Sequence, residues 1–165
     1  MTTTQTTLAQ HLTSHFDTVL EVVAKEFDTT LLETLRNLPP GFATERAGEH
    51  FVDVLRSIAT WGIVTTIVHT EDIIAEFVGE FPDGSMGRGF YNLKAETGLT
   101  GHLRPERCDK IVFLERPFMG LPTASVLFIN REGGAMFKIF LRRNEARELA
   151  PEQLRAFRDL AERVK

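Results

Sequence analysis

The sequence predicts an α+β fold: helices first, then a large antiparallel meander sheet of about seven or more strands, then one helix. Three observations predict it. Apolar residues recur at helical spacing over about 6–60 and again over 151–164. Between them, over 62–141, the chain changes to short β-branched and aromatic runs. Turns join those runs, and they are too short for parallel crossovers, which need about a dozen residues. The 165 residues read as one domain, since ~100–200 residues is the usual size.

In the first part, Val19, Leu20, Val23 and Phe27 recur at helical spacing. Thr30 and Glu33 then stand at capping-box spacing, where each side chain can reach the other's amide. Leu31, Leu32, Leu35 and Leu38 follow on one face, and Pro39-Pro40-Gly41 ends the unit. A helix over about 48–60 carries Phe51, Val54, Leu55 and Ile58 as its buried stripe. Strands are predicted over 62–69, 73–80, 89–93, 99–103, 110–116, 123–129 and 135–141, with a hairpin around Glu96-Thr97-Gly98. Gly84-Ser-Met-Gly-Arg-Gly89 reads as a turn, because a phosphate cradle would need a helix to follow it. Pro151 opens the last helix, with Leu154, Phe157, Leu160 and Val164 on one face. An open sheet has edges and a second face to cover. Two helical groups leave part of it bare, so a homodimer is expected.

Composition narrows the function. With 42% apolar and 25% charged residues, the chain is globular rather than disordered. No apolar run approaches the ~18–20 residues of a membrane span, and the first residues lack a secretory pattern. One cysteine, Cys108, excludes a disulfide framework or a multi-cysteine metal site. A cytoplasmic location is expected. The formal charge of -4 disfavours nucleic acid and anionic membranes as partners. The early helices could suggest a helix-turn-helix. Residues 1–40, however, hold Lys25 and Arg36 against Asp17, Glu21, Glu26, Asp28 and Glu33, so phosphate-facing cations are lacking. There is no Walker, dinucleotide-binding, zinc-protease or nucleophile-elbow motif, and no catalytic residue is assigned.

A few residues could carry binding chemistry. His11 and His15 share a helix face, but two histidines make a poor metal site. Cys108, beside Arg104 and Arg107, reads as a small buried hydrophobe before a reactive thiol. His69 ends one strand, His102 lies near the end of another, and Tyr91 is the only tyrosine. All three side-chain types can ligate iron. Phe90 and Tyr91 point to opposite faces of their strand. If Phe90 enters the core, the Tyr91 hydroxyl meets solvent or a cleft, where a phenolate would suit ferric haem iron. These residues alone choose no ligand.

Several segments together resemble a known family. They are Trp61-Gly-Ile-Val-Thr-Thr-Ile-Val-His-Thr70, Glu76-Phe-Val-Gly-Glu80, Phe90-Tyr-Asn-Leu93 and Gly101-His102, then Glu115-Arg-Pro-Phe-Met-Gly120, Thr123-Ala124 and Ala135-Met-Phe-Lys-Ile-Phe140. In this order they resemble the HutX/ChuX/HuvX family of cytosolic haem-utilisation carriers, over nearly the whole chain. The resemblance implies a haem-utilisation-protein-like fold and a homodimer similar to one chain of the larger two-repeat relatives. It implies a carrier that takes haem b as cargo after import and hands it to a haem-degrading enzyme. His69 and His102 match positions implicated in haem binding in one branch, and Tyr91 matches the tyrosine ligand of another. Tyr91 is ranked first as iron ligand, then His102, then His69, because a carrier must release its cargo. Arg116, Lys138, Arg142 and Arg143 are candidate cations for the propionates. The rival readings are a ring-opening haem-degrading enzyme and a haem-responsive helix-turn-helix regulator.

Overall fold

The computed structural model describes residues 6–165, and the start of the Thr-rich segment, 1–5, lies outside them. Among the described residues five α-helices are present: α1 (Leu8–Ser14), α2 (Leu20–Glu26), α3 (Leu31–Arg36), α4 (Phe51–Ile58) and α5 (Pro151–Arg163). The strands are β1 (Ala43–Ala47), β2 (Ile63–His69), β3 (Ile74–Glu80), β4 (Gly84–Gly87), β5 (Phe90–Leu93), β6 (Gly101–Leu103), β7 (Cys108–Phe118), β8 (Leu121–Asn130) and β9 (Ala135–Phe140). The α+β class stands. The sheet is divided, however: six strands run in the order β1-β7-β8-β9-β2-β3, and β4-β5-β6 form a second, small sheet. All pairings are antiparallel.

Alternation along β7 and β8 builds two cores. Val112, Leu114, Leu127 and Ile129 face α1–α3 and meet Leu12, Leu20, Val23, Leu31 and Leu35. Ile111, Phe113, Val126 and Phe128 face the other way, onto Phe51, Val54, Leu55 and Ile58 of α4 and Phe157 and Leu160 of α5. Both strands therefore read as nearly continuous apolar runs, as strands covered on two faces do. Gln153 fixes α5: its Nε2 donates to the carbonyls of Trp61 (2.9 Å) and Ile63 (2.7 Å).

The caps depart from the expected pattern. Thr30 Oγ1 accepts the Glu33 amide at 3.2 Å, but the Glu33 carboxylate binds Arg36 at 2.6 Å instead of reaching back. The reciprocal box sits at α1, between Thr7 and Gln10.

Two strands were not expected. β1 carries Thr, Glu and Arg, and its pattern is that of an edge strand paired only with β7. β4 is the glycine-rich segment expected as a turn. The turn itself is only Arg88-Gly89, both at positive φ (54° and 81°), which is the type I′ geometry of a two-residue hairpin. Gly84 and Gly87 are strand residues. A Cβ on Gly84 would lie 2.7 Å from the Asn92 carbonyl oxygen and 2.7 Å from Tyr91 Cε1, so the tyrosine ring occupies that space.

The bare surface falls where the helices stop. On the α1–α3 side, Ile63, Ile74 and Val78 are exposed along β2 and the edge strand β3.

Candidate functional site

The structure does not gather the three candidate ligands into one site. Tyr91 pairs with Leu103 and Asn92 pairs with His102, so Tyr91 and His102 lie on opposite faces of the small sheet. Tyr91 points inward. It is fully buried among the residues of the α4–α5 core, and its hydroxyl has no hydrogen-bond partner among the described residues. The cleft expected if Phe90 entered the core is not there, because Tyr91 is the one that enters. Burial pushes the Tyr91 phenol above its ordinary pKa, Asp83 pushes the same way, and Arg56 opposes them.

His102 occupies the outer face of the same sheet. Its Nδ1 lies 2.6 Å from Asn92 Oδ1. The Asn92 amide nitrogen donates to the carbonyls of Gly87 (3.1 Å), Ser85 (3.3 Å) and Phe90 (3.3 Å). The Phe90 ring meets His102 edge-on, with centroids 5.7 Å apart, and the Arg104 guanidinium lies 4.5 Å above the Phe90 ring centroid. Arg104 forms no salt bridge among the described residues. An exposed imidazole, an aromatic ring and an uncommitted cation thus share one face.

His69 ends β2 on the face that carries α1–α3. Its Nδ1 is 3.4 Å from Glu21 Oε1, and Glu21 also pairs with Lys138 of β9. Burial opposes ionisation of Glu21, but the charge and hydrogen bond of Lys138 outweigh it and hold the carboxyl below its ordinary pKa. His69 lines a cavity of about 650 Å³ whose walls carry Glu21, Glu71 and Glu132 against Lys25. Each of these carboxylates is paired, with Lys138, Lys25 and Arg107 respectively, so those cations are already engaged and not free for an anionic ligand. A second cleft of about 760 Å³, between β3 and the chain around Lys94 and Leu99, contains none of the three candidates.

The proposed propionate cations are mostly committed elsewhere. Arg116 is buried and donates through Nη1 to the carbonyls of Phe16 and Thr18, the latter at 2.8 Å. Burial pulls its guanidinium down to about 10. Lys138 is held by Glu21. Arg142 and Arg143 follow β9, and the Arg143 side chain donates to the Pro122 carbonyl at 3.4 Å. Sequence reasoning passed over Arg104 as a neighbour of Cys108. The signal was its i, i+2 spacing from His102. Cys108 itself is buried, with its thiol pushed up to about 12. The His11 ring stacks on His15 and leans on Phe27, with centroids at 4.3 and 5.1 Å, so His11 is half-buried while His15 stays exposed.

The sequence profile of the haem utilisation ChuX/HutX proteins matches residues 44–160. The chain belongs to that family. It is 33% identical over 166 residues to the intracellular heme transport protein HutX of Vibrio cholerae serotype O1, covering 100% of this chain and 86% of that protein. The heme-binding protein ChuX superposes with a TM-score of 0.87 at 46% identity, over 95% of this chain and 98% of that one. These ChuX/HutX relatives are named for transport and binding rather than for catalysis. The heme-degrading enzyme ChuS of Escherichia coli O157:H7 matches at a TM-score of 0.77 and 13% identity, over 92% of this chain but 47% of that one. That likeness shows a shared fold alone. Among the described residues, no helix is long and apolar enough to cross a membrane.

Proposed function

We propose that this chain is an intracellular carrier of haem b that accepts imported haem and passes it, as a homodimer, to a haem-degrading enzyme. Membership of the ChuX/HutX family supports haem as the cargo. The observation that carries the reading is the outer face of the small sheet. There His102 offers an exposed imidazole, Phe90 an aromatic surface, and Arg104 a cation for a propionate. A carrier needs a ligand reached from outside, since it must load and unload, so His102 takes first place in the folded state shown. Tyr91 comes second, because its hydroxyl reaches iron only if the small sheet lifts from the core. His69, in its carboxylate-rich cavity, comes third. The bare strip of Ile63 on β2 and Ile74 and Val78 on the edge strand β3 supports the homodimer.

The test is a haem titration of the purified protein by absorbance, with His102→Ala, Arg104→Ala, Tyr91→Phe and His69→Ala beside it. Saturable binding is expected, weakened by His102→Ala and by Arg104→Ala. A ferric spectrum altered by Tyr91→Phe alone would restore the phenolate. No binding above that of a control protein would end the haem assignment. A bilin formed on adding reductant and oxygen would favour the enzyme reading. Sedimentation of Val78→Lys should show monomer where the parent is dimeric.

A further inference from the structure

We infer that Asn92 is a positioning residue that locks His102 into one tautomer, with its Nε2 lone pair free to meet a metal. This rests on the reading of His102 as a haem ligand. An asparagine amide can in general be placed either way round, and an imidazole can carry its proton on either nitrogen. Here the backbone removes both freedoms. Ser85, Gly87 and Phe90 all present carbonyl oxygens to one end of the Asn92 side chain, at 3.1–3.3 Å. Carbonyls only accept, so that end must be the NH2 group. The other end is therefore the oxygen, and it too only accepts. It lies 2.6 Å from His102 Nδ1, so that nitrogen must carry the proton. A neutral imidazole holds one ring proton, which leaves Nε2 bare. Metal-binding histidines are commonly oriented in this way, with the far N–H given to a carbonyl or carboxylate oxygen.

The hairpin explains why Asn stands at position 92. Two of the three carbonyls belong to β4, Gly87 standing just before the I′ turn, and the third to the start of β5, so the side chain ties the hairpin together while it aims the histidine. Gly87 is part of the device: a Cβ there would lie 3.2 Å from the Asn92 amide nitrogen. Gln is one methylene too long to hold the same atoms, and Leu supplies neither donor nor acceptor.

The experiment has two readouts. The first needs no haem. Long-range proton–nitrogen correlation spectra of the apo-protein, recorded where the ring carries one proton, identify the bare nitrogen of His102. A single Nδ1–H tautomer is expected in the parent. A mixture is expected in Asn92→Leu. The second readout is haem affinity. Asn92→Leu should lose about tenfold or more, the usual scale for removing such an outer partner. An Nε2–H tautomer in the parent overturns the inference, whether or not Asn92→Leu folds. The expected tautomer with unchanged affinity in both Asn92→Leu and His102→Ala also overturns it, because His102 is then no ligand. Absence of saturable haem binding by the parent defeats the carrier reading itself, and the spectra then report an Asn–His pair that serves only the hairpin.

Discussion

Tyr91→Phe should stabilise the protein. The hydroxyl is buried and lacks a partner, and the ring is wholly excluded from solvent. An unsatisfied buried hydroxyl costs ~1–3 kcal/mol, and phenylalanine keeps the rest of the ring in place. The gain is set at about 1 kcal/mol, the lower end, because the vacated volume loses some contacts. For a chain of this length that raises Tm by roughly 2–4 °C. Urea unfolding of the apo-protein at neutral pH measures it, and an unchanged m-value shows that the denatured state is the same. Gly84→Ala is the control from the other side of the ring. Its Cβ would meet backbone oxygen and ring carbon at 2.7 Å each, so a loss of ~1–3 kcal/mol is expected.

The pH dependence gives a second measure of the same group. The Tyr91 pKa is raised in the fold, chiefly by burial. Its contribution is therefore fully present below the unfolded value of about 10 and is lost as pH rises through the folded value. Wild type should lose stability more steeply than Tyr91→Phe above pH ~10. If Tyr91→Phe is destabilised by ~1 kcal/mol or more at neutral pH, the hydroxyl is bonded in solution and the reasoning fails. Arg56, whose charge already favours the phenolate, is then the partner to delete next.

Three further outcomes follow from the buried charges and the thiol. Glu21 has its pKa lowered, so its contribution is present above the unfolded value of about 4.3 and disappears as pH falls through the folded one. Acid unfolding of Glu21→Gln should accordingly show a shallower pH slope below ~4.3 than wild type, and an equal slope would refute the pairing with Lys138. Cys108, buried and held near 12, should resist a thiol reagent at pH ~8 in the native protein and react fully in denaturant. Arg116→Ala removes a buried cation bonded to the carbonyls of Phe16 and Thr18, so a loss of ~2–3 kcal/mol is expected from denaturant unfolding, with the segment between α1 and α2 becoming sensitive to protease first.

Much of the fold could be read from periodicity, and the exceptions share a cause. The α3, α4 and α5 stripes and the β7–β9 strands are strongly apolar, so burial alone identifies them. β1 and β4 escape because neither has an apolar face of its own. β1 is a charged edge, and β4 is built from glycines whose reason lies in another strand, where Tyr91 needs the room. The division into two sheets is likewise a matter of long-range pairing, since β9 returns to β2 and bypasses the small sheet entirely.

The site divides along the same line. A period of two places Phe90 and Tyr91 on opposite faces of β5, but it cannot say which face is inside. One contact decides it: Gly84 leaves space for the larger tyrosine ring under the hairpin, and that turns Phe90, Asn92 and His102 outward together. Reversing that choice by one residue would bury the histidine and expose the phenol. Which side chains face outward is therefore written less in Tyr91 or His102 than in Gly84 of the neighbouring strand. A relative with a bulkier residue at the position of Gly84 should either lack the tyrosine or carry it in a displaced hairpin.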